Sequence, residues 1–406
     1  MSSVDRDRFL EEGYLIVKEA VPRDKLELVR TAYEKLVDRQ REIWSAERAP
    51  DDPPGGQWET ARQPRLNLTG SPLVDRLDRE TAPAVEVWLE ENIRGVSSTL
   101  LDEPTAAVTQ MMMMCSPVRD HGPAQWHRDL HPIDTAPLQG YIDDIVEAGP
   151  RYVQWNIPLY DDSVLWVVPG SHLRFNTPEE NAVMGADPCQ PVPSGVQTHL
   201  EAGDGVVYIL PILHWGSNYS TLLRRTVHGG FSTHTGIDDL SFIQHLSQQA
   251  ADTFEGFVEQ SNDMRQHTES ALRAVIAGNG RAYTEALDGL HRKRGEKGRI
   301  LSTVFLCKTA LSIRLSKEPP FPEIPEDLDR RIRGAHPITL NWGSEFGDRF
   351  TASEAEALWE RFAPLDTLLR TAEEQFVPGF QSDPMIYHFN DMPSNYATSD
   401  FIASWY

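Results

Sequence analysis

The amino-acid sequence predicts a mainly β core with helices, an α+β fold. Three observations predict it. Short runs of β-forming residues, separated by Gly and Asp turns, fill the chain between about residues 106 and 235. Apolar residues at helical spacing precede this region, and a helical pattern follows it from about residue 238. Many short strands joined by tight turns favour a sandwich or a barrel.

The N-terminal region is predicted to be largely helical with one strand. Residues 14–17 are rich in β-formers and follow a glycine, which indicates a strand. Val21-Pro22 opens a helix that carries Leu26, Val29, Tyr33 and Leu36 at helical spacing. Residues 45–75 lack periodicity and are predicted to be a loop, whereas residues 83–101 indicate a further helix.

The central region is predicted to be strand-rich, with strands at residues 106–114, 152–159, 165–168, 206–209 and 226–231. Two polar connections, at residues 130–150 and 172–200, are longer than the others and are predicted to be loops. Long loops at the mouth of a barrel commonly carry substrate recognition. We therefore expect the substrate to be selected there.

The C-terminal region is predicted to be a mostly helical extension. Residues 238–315 indicate helices, residues 317–338 are proline-rich and extended, and Thr351-Ala352-Ser353-Glu354 resembles a helix start. The aromatic end, residues 387–406, is expected to dock on the core. The chain is thus predicted to have two domains, a core at residues 1–237 and an extension at residues 238–406 that packs on or near it.

Composition limits the classes of partner. With 61 acidic against 38 basic residues, the formal net charge is −23, and such a surface repels nucleic acid. No apolar run approaches membrane-spanning length, and the N-terminus lacks a basic-then-apolar leader, so a cytoplasmic protein without a membrane partner is expected. The 3 cysteines fit no zinc or redox spacing. A homo-oligomer stays open.

The segment Gln125-Trp126-His127-Arg128-Asp129 carries the most specific functional signal. His127 and Asp129 stand two residues apart, so in an extended segment their side chains point the same way. His214 follows a later predicted strand. Two imidazoles and one carboxylate can occupy three adjacent positions around a metal ion, an arrangement typical of non-haem Fe(II) oxygenases. A surface pair without a metal is the plainer alternative.

Further polar residues surround this constellation in the predicted fold. Arg224 and Arg225 lie beyond His214, and one guanidinium there can hold the distal carboxylate of a keto acid. Adjacent strand residues face opposite ways, so only one of the two can enter the pocket. Gln154 and Asn156 share one face of a strand and can bind the same ligand or serve as core amides.

These ordered motifs give the chain a family resemblance. Over about residues 5–235 it resembles the phytanoyl-CoA dioxygenase family of Fe(II)- and 2-oxoglutarate-dependent oxygenases. The resemblance rests on Phe9–Tyr14, Trp126–Asp129, Val167–His172, Gly203-Asp204 and His214–Ser220, followed by Arg224-Arg225 and Phe231. It implies a double-stranded β-helix (jelly roll, cupin-like). It also implies Fe(II), 2-oxoglutarate as co-substrate and O2.

The resemblance also assigns roles to residues. His127, Asp129 and His214 match the iron ligands. Arg224 matches the co-substrate arginine when counted from Ser220 and Phe231, whereas counting from His214 favours Arg225, and we choose Arg224.

Gln110 lies on the strand before the metal motif, where related enzymes place a polar contact to the co-substrate. Gln154 and Asn156 are the other candidates for binding the co-substrate. For each of the three amides, a purely structural role stays the alternative.

The predicted activity is hydroxylation of an aliphatic C–H bond in a small or medium organic molecule, with release of succinate and CO2. Halogenating relatives lack a carboxylate at the position of Asp129, so its presence favours hydroxylation or a related oxidation. The alternative is a cupin-like metal protein of another class, such as a Zn or Mn hydrolase, an isomerase or a non-catalytic sensor. The C-terminal 170 or so residues have no counterpart in the family's compact form, which leaves the substrate class open.

Overall fold

The fold is described from a computed structural model that covers residues 4–129, 138–237, 239–290, 295–317, 346–375, 384–390 and 395–406. The chain divides into two compact units. The first comprises Met1–Asp129 and Asp144–Gln260, and the second comprises Leu130–Asp143 and Ser261–Tyr406. The predicted division into a functional core and an extension at residue 237 stays a prediction.

The helices of the described residues are numbered in chain order. They are α1 Arg6–Glu12, α2 Arg23–Glu47, α3 Gln57–Thr60, α4 Pro83–Glu86, α5 Val96–Leu101, α6 Leu138–Ala148, α7 Pro178–Ala186, α8 Gln248–Ala277, α9 Gly280–Leu290, α10 Glu296–Leu315, α11 Ala352–Leu369 and α12 Thr398–Ala403. Helix α6 occupies most of the connection at residues 130–150 that was predicted to be a loop, and residues 130–137 lie outside the described part. Among the described residues, no helix is both long and apolar enough to cross a membrane; the cytoplasmic location stays a prediction.

The strands form antiparallel sheets. They are β1 Tyr14–Val17, β2 Arg65–Asn67, β3 Ala107–Cys115, β4 Tyr152–Pro158, β5 Trp166–Val167, β6 Val196–Gln197, β7 Gly205–Tyr208, β8 His214–Trp215, β9 Arg225–Ser232, β10 Arg370–Gln375 and β11 Met385–Asn390. A six-stranded sheet has the order β1-β7-β4-β9-β3-β2, and a three-stranded sheet has the order β6-β5-β8. This mixture of helices and antiparallel sheets confirms the α+β class. The double-stranded β-helix stays a prediction.

One face of the six-stranded sheet forms the main core of the first unit. Trp155 in β4, Val207 in β7 and Phe231 in β9 are fully buried there. They share this core with Tyr33 and Leu36, which lie on the apolar stripe of α2. Each large side chain removed from water in this way stabilises the fold by about 1.5–3 kcal/mol.

The opposite face of the six-stranded sheet, named the polar face here, carries a different set of side chains. Directly opposed residues of antiparallel strands point to the same side, so the register assigns them. Asn156 is opposite His228, and Gln154 is opposite both Tyr208 and Gly230. This face also carries Gln110, Met112, Gln154, Asn156, Tyr208, Thr226, His228 and Gly230. A smaller apolar cluster joins Tyr208 of this face to Val167 of the three-stranded sheet.

The Pro169-Gly170-Ser171-His172 turn docks on the N-terminal segment. His172 is fully buried, and its Nε2 lies 2.9 Å from the carbonyl oxygen of Leu10. Gly13 ends α1 with a φ of 82°, and a Cβ at this position would lie 2.4 Å from Nδ1 of His172. Only glycine fits both the positive φ and this close approach. The turn thereby anchors the start of the chain to the sheet region.

The second unit has its own helical core. Leu287 of α9, Leu306 of α10 and Leu358 of α11 are buried in one cluster. Phe401 and Trp405, close to the chain end, belong to the same cluster. Docking of the aromatic end on the core at residues 1–237 stays a prediction.

Local structure in this unit follows the prediction at one helix and departs from it in a hairpin. At α11 the Thr351 hydroxyl accepts from Glu354 N, and the Glu354 carboxylate accepts from Thr351 N, as the capping sequence predicts. The β10–β11 hairpin was not predicted, and the proline-rich residues 318–338 lie outside the described residues.

Candidate metal centre

Three side chains converge at one point of the first unit. His127 and His214 face each other in a short bridge, where each backbone N–H donates to the other's carbonyl at 2.9 Å. Asp129, two residues after His127, donates its backbone N–H to the carbonyl of Leu210 at 3.2 Å. One potential ligand atom from each of His127, Asp129 and His214 lies within 4.8 Å of the other two. The structure thus brings together the three residues predicted to bind metal.

Hydrogen bonds set the orientation of both imidazoles. His127 Nδ1 lies 2.9 Å from the carbonyl oxygen of Gln125, and His214 Nδ1 lies 3.1 Å from that of Ile212. A carbonyl can only accept, so each Nδ1 must carry the proton. The lone pair is then on Nε2, and these Nε2 atoms lie 3.6 and 3.5 Å from the carboxylate oxygens of Asp129. This is the tautomer that a metal ligand needs.

The charge of Asp129 is stabilised by its surroundings. Burial opposes ionisation of its carboxyl group, but the nearby imidazoles of His214, His127 and His228 and a hydrogen bond from Gln154 outweigh burial and lower its pKa to about 2. Burial, followed by the proximity of His127, lowers the pKa of His214 to about 4. Near neutral pH Asp129 is therefore a carboxylate and His214 a neutral imidazole, which are the states that bind metal.

Gln154 ties this carboxylate to the polar face. Its amide Nε2 donates to Asp129 Oδ2 at 2.6 Å and to the Tyr208 hydroxyl at 2.7 Å. Gln154 is nearly buried. A charge-assisted hydrogen bond of this kind fixes the orientation of a metal ligand. The structure therefore places Gln154 beside the metal ligands, where its amide supports Asp129.

Asn156 lies one step further along β4 and pairs with His228, a residue that the sequence analysis missed. The Asn156 Oδ1 atom lies 2.5 Å from Nδ1 of His228. Burial lowers the pKa of His228 to about 4, with Asp129 the strongest opposing influence. The missed signal was the alternation along β9, which puts Arg224, Thr226 and His228 on one side.

The two arginines lie on opposite faces of the sheet. Arg224 continues the β3–β9 ladder, where Ser116 N donates to its carbonyl at 3.0 Å, so its side chain shares the polar face with Thr226. Its Nε donates to Asp162 at 2.8 Å. Neither terminal nitrogen of Arg224 makes a hydrogen bond within the part of the chain that the structure describes. Arg225 points to the other face, where its Nε lies 2.9 Å from Glu34 in α2.

Gln110 also lies on the polar face. The register places it opposite Gly230, whose other neighbour is Gln154. Its side chain is partly exposed, and the hydrogen bonds of the described residues do not include it. Gln110 and Gln154 thus flank Gly230 from two sides.

Two tryptophans stack beside the candidate metal ligands. Trp126 and Trp215 each adjoin a candidate histidine ligand in the sequence, and their ring centroids lie 5.5 Å apart with an interplanar angle of 14°. The Trp126 indole donates to the carbonyl of Gln190 at 2.7 Å, and the Trp215 indole donates to that of Ala124 at 2.5 Å. Both rings are buried, so they pack beside the two segments that carry His127 and His214.

The donor set fits a divalent transition metal with open coordination positions. Two imidazoles and one carboxylate match the ligand preference of Fe(II) in oxygenases. The carboxylate of Asp129 is already ionised, and the Nδ1 contacts leave Nε2 of each imidazole for a metal.

Comparison with known proteins identifies the family. The profile of phytanoyl-CoA dioxygenase (PhyH) matches residues 9–226, more than half of the chain. The chain belongs to the phytanoyl-CoA dioxygenase family. Membership makes it an enzyme of the Fe(II)/2-oxoglutarate-dependent oxygenase superfamily, and the family resemblance seen in the sequence is confirmed. The search of curated proteins found no significant match.

Several solved structures are similar to this family member at low identity. AviO1 from Streptomyces viridochromogenes Tue57 is 19% identical and covers 57% of this chain and 96% of its own, with a TM-score of 0.37. The non-heme α-ketoglutarate-dependent carbocyclase SnoK from nogalamycin biosynthesis is 18% identical, with 57% and 84% covered and a TM-score of 0.38. EctD from S. alaskensis, solved with 2-oxoglutarate and 5-hydroxyectoine, is 16% identical, with 57% and 76% covered and a TM-score of 0.39.

Proposed function

We propose that this protein is an Fe(II)- and 2-oxoglutarate-dependent dioxygenase that hydroxylates an aliphatic C–H bond of a small or medium organic molecule. The observation that carries the proposal is the convergence of His127, Asp129 and His214 within 4.8 Å, in a member of the phytanoyl-CoA dioxygenase family. When bound, iron supplies the redox chemistry that couples oxidative decarboxylation of 2-oxoglutarate by O2 to oxidation of the substrate.

Each residue of the triad has a defined task in this proposal. His127 and His214 bind the metal through Nε2, because their Nδ1 atoms are engaged with backbone carbonyls. Asp129 binds through a carboxylate oxygen and neutralises part of the metal charge. Three protein ligands leave positions for the keto acid and for O2. Gln154 keeps the carboxylate of Asp129 oriented.

Arg224 is proposed to hold the distal carboxylate of 2-oxoglutarate. Its Nε is engaged with Asp162, and its terminal nitrogens remain for a bidentate contact. The side chain is on the same face as Thr226 and His228, which supports Arg224 over Arg225. Gln110 is proposed as a further polar contact to the co-substrate, and Asn156 acts through its hydrogen bond with His228.

Hydroxylation is favoured over halogenation because Asp129 occupies the position that halogenating relatives leave without a carboxylate. A related desaturation or ring-forming oxidation uses the same residues. In this proposal residues 1–237 form the catalytic core, with the two sheets of the first unit as a jelly roll, and residues 238–406 form an extension. The substrate is proposed to be a small molecule, and the protein to act in the cytoplasm.

The decisive experiment is anaerobic reconstitution with Fe(II) followed by addition of 2-oxoglutarate. We expect a weak metal-to-ligand absorption band in the visible range, and succinate formation when O2 is admitted. The absence of both the band and a 2-oxoglutarate-dependent thermal shift would contradict the proposal. A Zn or Mn protein of another cupin-like class would bind metal but give no response to the keto acid.

A further inference from the structure

Arg128 stands between two metal ligands but points away from them. Alternation along the segment sends its side chain to the side opposite His127 and Asp129. It is only 2% exposed, which is rare for an arginine. The guanidinium is therefore a buried cation directly behind the candidate metal centre.

The guanidinium joins separate parts of the chain. Its Nη1 donates to the carbonyl of Ser171 at 2.6 Å and also to that of Pro211. Its Nη2 donates to the side-chain oxygen of Asn176 at 2.8 Å and to the carbonyl of Arg174 at 3.3 Å. One side chain thus connects the segment that carries two ligands with the turn at 171–176 and with the segment before His214.

The contact with Pro211 completes a series of bonds along the approach to His214. The carbonyl of Leu210 accepts from Asp129 N at 3.2 Å, and that of Ile212 lies 3.1 Å from His214 Nδ1. Three successive carbonyls, at residues 210, 211 and 212, are therefore each engaged by a residue of the ligand set or by Arg128. The next residue, Leu213, donates its N–H to the hydroxyl of Ser171 at 2.8 Å, on the same turn that Arg128 binds.

This cation is held by neutral oxygen atoms. Within the described residues, its hydrogen-bond partners are three carbonyls and one amide oxygen, with no carboxylate among them. The nearby Glu180 is bound to Arg174 at 2.8 and 2.9 Å instead. Burying a cation without a direct counter-ion is energetically costly. The planar guanidinium offsets this cost because it donates to carbonyls on different segments at the same time.

We propose that Arg128 is a positioning residue, which sets the spacing between the His127–Asp129 segment and His214 before metal binds. The proposal rests on the proposed metal site, and it concerns how that site is pre-formed. Without the guanidinium, the carbonyl of Pro211 loses its donor, and the segment before His214 is free to shift. Loss of such an outer contact typically costs about 10–100-fold in metal affinity.

The test compares Arg128→Met and Arg128→Lys by titration with Co(II), whose visible absorption reports the ligand geometry. We expect at least a tenfold weaker Co(II) affinity for the methionine variant and a smaller loss for lysine, a point donor that cannot reach all the acceptors. The altered cobalt spectrum is a signature that lower stability alone would not produce. Affinities are measured on protein whose circular dichroism matches the wild type.

Arg174→Gln is the matched control. It breaks the ion pair with Glu180 in the same turn, so it lowers stability, but it leaves every contact between Arg128 and the segment before His214. We expect its Co(II) affinity to stay at the wild-type value.

The outcomes separate the two proposals. Wild-type affinity and spectrum in Arg128→Lys and Arg128→Met overturn the positioning role while the proposed function stands. Equal losses in Arg128→Met and Arg174→Gln overturn it as well, because general loosening then explains the effect. If Arg128→Met does not fold, the lysine variant decides. A wild-type protein that binds neither Co(II) nor Fe(II) overturns the proposed function, and the positioning role with it.

Discussion

At the scale of single residues, Asp129 carries the negative charge of the candidate metal centre. Two imidazoles, the amide of Gln154 and the nearby ring of His228 all favour its ionised form. Its carboxylate is therefore ready to bind a cation without first losing a proton. This concentration of effects makes Asp129 the most sensitive position of the triad.

Asp129→Asn is expected to lose metal binding. The amide has nearly the same shape, so the fold should persist, but the ligand charge that offsets the metal is gone. We predict at least a tenfold lower Fe(II) affinity, no absorption band with 2-oxoglutarate and no succinate. Calorimetric titration with Fe(II) under nitrogen checks this, and wild-type affinity would show that Asp129 is not a ligand.

Arg224→Gln and Arg225→Gln are expected to differ. A charge-assisted contact contributes about 1.5–3 kcal/mol, so loss of the Arg224 contact should raise the KM for 2-oxoglutarate about 10–100-fold. Arg225→Gln removes the ion pair with Glu34, a hydrogen bond to the Arg224 carbonyl and a contact with the Trp58 ring, so it should change stability more than KM. Steady-state succinate assays of both variants decide between them. The reverse order of KM values would mean that Arg225 is the co-substrate ligand.

At the scale of elements, the antiparallel pairing of β4 and β9 leaves little space for a side chain at Gly230 on the polar face. Gly230 lies between Gln110 and Gln154 across the sheet. A Cβ at this position would lie 2.2 Å from the carbonyl oxygen of Val153 and 2.4 Å from the Tyr152 ring. The carbonyl of Val153 is backbone, so it cannot move without disturbing the pairing of the two strands.

Gly230→Ala should therefore destabilise the protein by about 2 kcal/mol or more, in the range of overpacked core substitutions. Gly185→Ala is the matched control, because nothing lies within 4 Å of its added Cβ and the residue is helical. We expect the control to be neutral or to stabilise by about 0.5–1 kcal/mol. Urea unfolding monitored by fluorescence measures both. Equal urea midpoints for Gly230→Ala and the wild type would contradict the close packing described between β4 and β9.

Helices and strands with a regular hydrophobic pattern could be predicted from the sequence, whereas elements without such a pattern could not. Strands β4, β7 and β9 and helix α2 carry continuous β-formers or helical spacing, and they lie where expected. Strand β10 reads Arg-Thr-Ala-Glu-Glu-Gln, which carries little local β preference, and only its pairing with β11 makes it a strand.

The same limit applies within the site. The spacing of His127 and Asp129 predicts two candidate ligands, because two-residue alternation is a local property. The choice between Arg224 and Arg225 depends on where the ladder with β3 begins, which is a tertiary fact. His228 was missed although alternation along β9 puts it on the same side as Arg224, because alternation gives the face of the sheet and leaves its role at the site open.

At the scale of the whole molecule, acid is expected to destabilise the metal-free protein. An unfolded histidine has a pKa near 6.5, whereas burial lowers the pKa values of His214 and His228 to about 4 in the fold. The folded-state values are the lower ones, so the unfolded chain binds more protons between these limits. Stability is therefore complete above about pH 6.5 and is lost progressively as the pH falls towards 4.

Urea unfolding between pH 7 and 4.5, with a chelator present, measures this loss. The full effect is on the order of 3 kcal/mol for each imidazole. His228→Gln removes one titrating group, so its stability should fall less steeply with acid than that of the wild type. Parallel curves for the two proteins would show that His228 does not contribute to the acid sensitivity.

The backbone carbonyls at Gln125 and Ile212 have a consequence for exchange at the metal centre. Each occupies the Nδ1–H of its histidine, so each ring offers one nitrogen and no alternative. A proton and a metal ion must compete for the same lone pair on Nε2, and neither ring can turn to accommodate both. A proton bound at Nε2 in acid must therefore leave before a metal ion can bind at that nitrogen, and acidification acts as a competing ligand.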